Sequence, residues 1–125
     1  IIEYNSIFGF KRPITIPYKK DFNRTKEHYS NLYAGSSLLS LCDLAEEKGY
    51  AFIGSNTAGN NAYFVKKEHL KELKPLTAKE GYVESKFRES RDEDGNLTYL
   101  SGKERLDNIK GLPVFNTRNN KIETL

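Results

Sequence analysis

A helix pattern followed directly by a strand–turn–strand pattern, between Gly35 and Lys67, constrains the fold of this chain more than any other feature. Apolar residues recur there at intervals of three and four, which places them on one face of an amphipathic helix. These apolar positions are Leu38, Leu39, Leu41, Cys42 and Ala45. Gly49 follows them, and glycine is favoured just after a helix because it tolerates the left-handed backbone conformation. The pattern therefore predicts a helix over residues 36–49 that packs through one face.

Two short apolar and aromatic segments come next, YAFIGS at residues 50–55 and AYFV at residues 62–65. Segments of this kind favour β-strands with at least one buried face. The intervening residues 57–61 are Thr, Ala, Gly, Asn and Asn, which suit a turn. We therefore expect an antiparallel hairpin after the helix.

Length and composition narrow the class of protein. The 125 residues suit one domain with a real core. The formal net charge is +3, from 20 basic and 17 acidic residues that are mixed along the chain, so we expect no nucleic-acid partner. No apolar run approaches membrane-spanning length, and we expect a cytoplasmic protein with no membrane partner. The chain contains no methionine and opens on strand-like residues, which suggests a piece of a longer protein.

Cysteine and histidine are too few for metal or disulfide chemistry. Cys42 is the single cysteine and lies on the apolar face of the predicted helix, so we expect a buried hydrophobic side chain there and not a nucleophile. The two histidines, His28 and His69, do not have metal-ligand spacing. The sequence therefore predicts no metal site.

The first segment, IIEYNSIF, is nearly continuous in apolar residues, as is typical of a parallel strand buried on both faces. Strand, long connection, helix and strand is the order of a βαβ unit. The connection at residues 9–34 either covers a binding site at the carboxyl end of the first strand or wraps the edge of the sheet. Within it, Pro13 and Pro17 flank an ITI segment that suits an edge strand.

The tail is more hydrophilic. We expect short helices over residues 66–74, from Thr77 onward through residue 91, and from Ser101 to Ile109. The last stretch, LPVFNTRNNKIETL, suits short extended segments around an Asn–Asn turn. The predicted organisation is an α/β core at residues 1–67 with a mostly helical extension at residues 68–125 packed on it.

Three segments carry a resemblance to a known family: IEYNS, SNLYAGSSL and GSNTAGNNAYFV. With them, nearly the whole chain resembles the C-terminal half of class I S-adenosylmethionine-dependent methyltransferase-like proteins of the FkbM-like kind, and its tail resembles the extension in one bacterial branch of that group. The resemblance implies a doubly wound, Rossmann-like sheet. In it, IIEYNS is the fifth strand, residues 36–49 the following helix, and the hairpin supplies the sixth and seventh strands. The seventh strand is implied to lie antiparallel beside the fifth.

The same resemblance implies where the cofactor is held. In the family, S-adenosylmethionine is bound mainly by a glycine-rich loop after the first strand and an acidic residue on the second. This sequence has no GxGxG motif, and its glycines lie in turns and caps. We therefore expect no cofactor in this chain, with S-adenosylmethionine bound only by a full-length parent.

Candidate site residues lie in three groups. Glu3, Tyr4 and Asn5 end the first strand, where Glu3 would act as a catalytic carboxylate and Tyr4 and Asn5 would bind substrate. The alternative is that Glu3 pairs with a lysine and Asn5 caps the strand. The second group closes the long connection, with His28 as a catalytic base and substrate-binding roles for Tyr29, Asn31 and Tyr33. A packing role for His28 remains open.

The third group flanks the hairpin turn, where Asn56 and Asn61 are substrate-binding candidates and turn geometry alone explains Gly59 and Asn60. A basic run also marks the connection, as a solvated face or as recognition of an anionic sugar or nucleotide. Its members are Arg12, Lys19, Lys20, Arg24 and Lys26.

Two functions follow from these patterns. The resemblance implies a fragment of an S-adenosylmethionine-dependent O-methyltransferase that acts on a saccharide or small metabolite and is inactive as an isolated chain. The alternative is a non-catalytic α/β assembly module that forms a homo-oligomer through an exposed sheet edge.

Overall fold

The fold is mixed α/β, and the computed structural model describes residues 1–86 and 89–125. Ten helices and strands are described, in this order: β1 (Ile2–Glu3), β2 (Ile14–Thr15), α1 (Arg24–Glu27), α2 (Leu38–Glu47), β3 (Tyr50–Ser55), β4 (Asn61–Lys66), α3 (Ala78–Gly81), α4 (Gly102–Ile109), β5 (Pro113–Asn116) and β6 (Lys121–Thr124). Short 3-10 turns lie at Ser6–Phe8 and Lys67–His69. The described strands form two three-stranded sheets, in the orders β1-β4-β3 and β2-β5-β6.

The central helix and hairpin match the sequence prediction. Leu38, Leu41 and Ala45 on α2 are buried, as the apolar pattern requires. Ser37 is the N-cap, and Gly49 follows the helix with φ +78°. Strands β3 and β4 pair antiparallel, with Phe52 opposite Phe64. The predicted helix and hairpin are therefore confirmed, and they pack together around Leu38, Leu41 and Phe52.

The first strand differs from the prediction. β1 is only two residues long and pairs antiparallel with β4, through Ile2 opposite Ala62 and Glu3 opposite Asn61. Ile1 and Ile2 are 81% and 44% exposed, so the segment is not buried on both faces. The prediction of a buried parallel strand was wrong because consecutive apolar residues report hydrophobicity but not the neighbour that covers them. β4, the second strand of the hairpin, lies antiparallel beside β1, as the resemblance implies.

Every pair of adjacent strands in the described part of the chain is antiparallel. The predicted doubly wound parallel sheet is therefore not what these residues form. The coarser prediction of a mixed α/β chain holds. Since β1 and β3 each run antiparallel to β4, they point in the same direction with β4 between them.

The tail is not mostly helical, contrary to the prediction. Only the 3-10 turn forms where a helix was expected over residues 66–74, and α3 stops after one turn despite the Thr77–Glu80 capping box. The part of the predicted helix at residues 87 and 88 lies outside the described residues. The helix predicted from Ser101 to Ile109 forms as α4. The chain ends as the hairpin β5–β6 around the predicted Asn–Asn turn, and β5 pairs with β2, the edge strand predicted at ITI.

A buried serine joins the two sheets. Ser37 is 0% exposed, and its Oγ accepts hydrogen bonds from the Ser40 and Ile14 backbone N–H groups, both at 3.1 Å. The Ser37 N–H donates to the Ile14 carbonyl at 2.8 Å. One hydroxyl therefore caps α2, which packs on the first sheet, and also holds β2 of the second sheet. The second hydrophobic cluster begins beside this junction, with Ile14, Ile109 and Val114 fully buried.

Replacing Ser37 with alanine removes the cap and one of the two acceptors of the buried Ile14 N–H, which also donates to the Arg12 carbonyl at 3.0 Å. We expect the Ser37→Ala variant to lose about 2–3 kcal/mol of unfolding free energy, from a lost cap and a buried hydrogen bond. Urea denaturation followed by circular dichroism measures the loss. The matched control is Ser36→Ala, whose hydroxyl donates only to the Thr15 side chain. Equal losses in the two variants would contradict the role assigned to Ser37.

Candidate functional site

A cleft of about 380 Å³ opens at the carboxyl end of β1. One wall is the first segment after β1, a second is the stretch before α2, and a third comes from the segment after α3 and from α4. The lining residues are Glu3, Tyr4, Asn5, Ser6, Ile7, Arg24, Leu32, Ala34, Gly35, Asn60, Ser85, Glu89 and Arg105. The cleft therefore gathers two carboxylates, two guanidinium groups and two side-chain amides around a small apolar floor.

The predicted substrate-binding residues Tyr4 and Asn5 line the cleft, but the fold occupies their polar atoms. The Tyr4 hydroxyl donates to the Val83 carbonyl at 2.6 Å and accepts from the Val83 N–H at 3.3 Å. Asn5 Nδ2 donates to the carbonyls of Leu32 and Ala34, both at 2.9 Å. Its Oδ1 accepts from the Ile7 N–H at 3.0 Å. These two side chains hold the walls of the cleft together, which leaves them little capacity for a ligand.

Glu3 differs from Tyr4 and Asn5 in that its polar atoms are not used by the fold of the described residues. It is exposed, it lines the cleft, and no hydrogen bond or ion pair to its carboxylate joins it to the described residues. The lysine pairing considered from the sequence is therefore absent from the described part of the chain. A carboxylate with open lone pairs accepts hydrogen bonds from a ligand hydroxyl or amine. Glu3 is the predicted residue best placed to contact a ligand.

Two arginines face the same cleft, and both are anchored. Arg24 Nε donates to the Asn31 carbonyl, which fixes the guanidinium at the start of α1. Arg105 is 4% exposed and pairs with Glu84 at 3.0 Å. A buried guanidinium is stable only with such partners. Arg105 lies four residues before the buried Ile109 on α4, so helical spacing carries the only sequence signal that it points inward.

The second predicted group does not line the cleft. Tyr33 is buried, and its hydroxyl donates to the Pro113 carbonyl of β5. Burial raises the pKa of Tyr33, and the nearby Glu27 carboxylate raises it further. Tyr29 stacks on His28 with ring centroids 4.4 Å apart. Asn31 is 8% exposed with φ +62°. These residues form a structural turn behind the cleft wall.

His28 is engaged with its own turn. Its Nδ1 lies 2.7 Å from Ser30 Oγ and 3.3 Å from the Ser30 backbone nitrogen. Burial lowers the pKa of His28. The catalytic roles predicted for Glu3 and His28 thus fall on different sides of one wall, and the structure does not bring the two side chains into one pocket.

The third predicted group closes the hairpin turn. Asn56 Oδ1 accepts from the backbone N–H groups of Asn60 and Asn61, at 3.1 and 3.0 Å, and its Nδ2 donates to Asn60 Oδ1 at 2.8 Å. Asn60 lines the cleft, whereas Asn56 and Asn61 do not. Gly59 is buried with φ +72°, and a Cβ there would lie 2.5 Å from the backbone of Glu84 and Ser85. The turn therefore requires glycine and positions Asn60 against the cleft.

Five polar cleft residues played no part in the site predicted from the sequence: Ser6, Asn60, Ser85, Glu89 and Arg105. Three of them belong to the tail, which carries no motif that would link it to β1. Asn60 was explained by turn geometry alone. Arg24 entered the sequence analysis only as one member of a basic run.

Cys42 does not line this cleft. Burial, followed by the neighbouring Asp43 carboxylate, raises the pKa of Cys42 to about 12, so the thiol is unreactive near neutral pH. The described residues contain no group of three or more side chains placed to hold a metal ion. Nor do they include a helix long and apolar enough to span a membrane.

The chain matches no protein-family model, no curated protein and no solved structure. The chemistry of the cleft therefore stands on the geometry described above.

The different roles of Glu3 and Asn5 are measurable through stability. Asn5→Ala removes three hydrogen bonds and leaves the carbonyls of Leu32 and Ala34 without the donor that Asn5 Nδ2 provides. We therefore expect a loss of about 2–3 kcal/mol in unfolding free energy. Glu3→Gln removes no contact among the described residues, and we expect a change within about 0.5 kcal/mol. Parallel urea denaturation of the two variants checks both values. A stable Asn5→Ala variant would return Asn5 to the list of ligand-binding candidates.

Proposed function

We propose that this chain is the acceptor-binding half of a methyltransferase-like α/β domain, part of an O-methyltransferase acting on a saccharide or small metabolite. The observation that carries the proposal is the order of the first sheet. β4 lies between β1 and β3 and runs antiparallel to both. The resemblance of the sequence implies this order for the fifth, seventh and sixth strands of such a domain.

The connection between β1 and β3 supports the same proposal. Both strands point in one direction, and α2 lies between them in the chain and packs against β3. A strand, a helix and a second strand of the same direction form a βαβ unit, here with β4 inserted between its strands. In this proposal, the doubly wound sheet continues on the outer side of β1.

The position of the cleft fits the proposed function. Ligands of open α/β sheets bind outside the carboxyl ends of strands. The cleft opens at that end of β1, with Glu3 directed at it and Asn60 and Arg24 beside it. Saccharide hydroxyls both donate and accept hydrogen bonds, and alternating carboxylate, amide and guanidinium groups complement them. Glu3 accepts a hydrogen bond from the acceptor hydroxyl and is placed to take its proton.

The residues present do not fit S-adenosylmethionine. Gly35 is the glycine of the cleft, and a Cβ there would meet only Asn5 Cβ, at 4.0 Å. The backbone at Gly35 is thus not a tight cradle of the kind that a glycine-rich cofactor loop forms. No step in this chain is therefore assigned to the cofactor, and we propose that the isolated chain binds the acceptor without turnover.

Titration of the isotopically labelled chain with neutral monosaccharides and their methyl glycosides, followed by amide chemical shifts, tests the proposal. We expect shifts confined to the cleft, with a dissociation constant in the millimolar range, about −4 kcal/mol. Glu3→Gln is expected to weaken this binding roughly tenfold, the effect of losing one charge-assisted hydrogen bond. The matched control Glu72→Gln, an exposed carboxylate outside the cleft, should bind like the parent chain.

Absence of shifts with every sugar would contradict the proposed acceptor class. Saturable micromolar binding of S-adenosylhomocysteine, the demethylated cofactor, would contradict the division between acceptor and cofactor halves.

A second function has one specific observation in its favour. The outer edge of β1 is unpaired in the described sheet, and Ile1 and Ile2 beside it are largely exposed. Unpaired edges accept further strands, so a non-catalytic assembly module that pairs this edge with a second copy is the alternative proposal.

Sedimentation velocity over a range of concentrations tests the assembly function. We expect dimers to appear at concentrations above tens of micromolar, an affinity of about −6 kcal/mol, and the edge variant Ile2→Lys to remove them. Ile122→Lys, at the comparably exposed edge strand β6, is the control and should leave the dimer intact. A chain that stays monomeric at every concentration would contradict the assembly function but not the acceptor function.

A further inference from the structure

The turn from His28 to Leu32, called here the 28–32 turn, connects three walls of the cleft through its consecutive carbonyl groups. The Ser30 carbonyl accepts from the Arg91 N–H at 3.3 Å, two residues from Glu89. The Asn31 carbonyl accepts from Arg24 Nε. The Leu32 carbonyl accepts from Asn5 Nδ2 at 2.9 Å. Since Asn5, Arg24 and Glu89 line the cleft, the turn is bonded to three of its walls, at Asn5, at Arg24 and at Arg91 beside Glu89.

The His28 side chain stabilises the 28–32 turn through its contacts with Ser30. Its Nδ1 accepts from the Ser30 N–H and lies 2.7 Å from Ser30 Oγ. Ser30 Oγ also accepts from the Leu32 N–H at 3.2 Å, and its own proton is shared with Nδ1 when the ring nitrogen carries none. Ser30 is 0% exposed, and water cannot take over either partner. The Ser30 backbone N–H is always a donor, and its hydrogen bond therefore requires Nδ1 without a proton.

We propose that His28 is a positioning residue and a pH-sensitive latch for the cleft, whose protonation releases the 28–32 turn and loosens the three walls. A proton on Nδ1 would point at the Ser30 backbone N–H, which is another donor, and would leave that buried N–H without its acceptor. The Ser30 hydroxyl would also have to turn its own proton away from Nδ1. The inference rests on the geometry of the cleft and holds whichever ligand the cleft binds.

The charged side chains around the 28–32 turn are paired with other groups and not with His28. On the same side as His28, Glu27 pairs with Lys19, and Arg24 is committed to Asn31. From the opposite segment, Glu89 and Arg91 pair with each other at 3.5 Å. α4 approaches through an uncharged group, as Asn108 Nδ2 donates to the Tyr29 hydroxyl at 3.4 Å. No charged side chain of the described residues forms an ion pair with the His28 ring.

The direction of the pH effect follows from linkage. Burial lowers the pKa of His28 in the folded chain below the ordinary value of 6.5. Between the folded pKa and 6.5, the unfolded chain therefore binds more protons than the folded chain. The contribution of His28 to stability is fully present above pH 6.5 and is lost as the pH falls toward the folded pKa.

Asparagine at position 28 gives a matched variant that keeps the acceptor without the titration. An asparagine Oδ1 accepts from the backbone N–H two residues later, as Asn5 does from Ile7 and Asn23 does from Thr25. His28 Nδ1 has the same relation to the Ser30 N–H. His28→Asn should therefore maintain the turn at every pH, whereas His69→Asn changes a largely exposed histidine and serves as the control.

Hydrogen exchange of the free chain at about pH 7.5 and pH 5.5, corrected for the intrinsic pH dependence of exchange, tests the latch. We expect exchange at residues 29–35 and 89–92 to rise roughly threefold or more at the lower pH, while β3 and β4 stay unchanged. The His69→Asn chain should behave like the parent, and the His28→Asn chain should show no rise.

Three results would overturn the inference: no rise in the parent chain, an equal rise in His28→Asn, or a uniform rise that includes β3 and β4. If His28→Asn does not fold, the ring resonances of His28 in the parent chain decide. The midpoint of their titration must coincide with the midpoint of the exchange change, and separate midpoints would refute the latch. No ligand enters this experiment, so its outcome is independent of the proposed function.

Discussion

The hydrogen bonds between Ser37 and Ile14 are the constraint on which the rest of the structure depends. They fix the start of α2 to an edge strand of the second sheet, at a position where both residues are almost fully buried. Neighbouring backbone groups form further hydrogen bonds at the same junction. The Asn5 N–H donates to the Ser36 carbonyl at 2.8 Å, and the Leu38 N–H donates to the Gly9 carbonyl at 3.1 Å. The first wall of the cleft is therefore tied to the helix start.

The sequence predicted the local part of this fold well. α2, the β3–β4 hairpin and the capping residues depend on neighbours within a few positions, and periodicity and turn chemistry report such neighbours directly. The strands of the second sheet were predicted but their pairing was not, because β2 and β5 pair across most of the chain length and no pattern within either strand identifies its partner. The same limit explains the error at β1, whose apolar residues indicated burial without identifying what covers them.

In the candidate site, too, the local features were predicted and the long-range contacts were not. Glu3, Tyr4 and Asn5 were predicted because they end a strand, and all three line the cleft. Their different roles depend on hydrogen bonds to residues 32, 34 and 83, which only tertiary structure reveals. Arg105 was missed because its spacing of four from Ile109 is a weak signal in a polar helix, and only the tertiary structure shows that its side chain is buried.

The close approach of the hairpin turn to the tail has a consequence for evolution and engineering of the site. At Gly59 the backbone of Glu84 and Ser85 leaves no room for a single methyl group. Ser85 lines the cleft, and together with Glu84 and Arg105 it also borders a second hollow at the start of α4. The contact at Gly59 therefore fixes the segment that lines both hollows, and a larger side chain at position 59 would displace Glu84 and Ser85 and change the width of both.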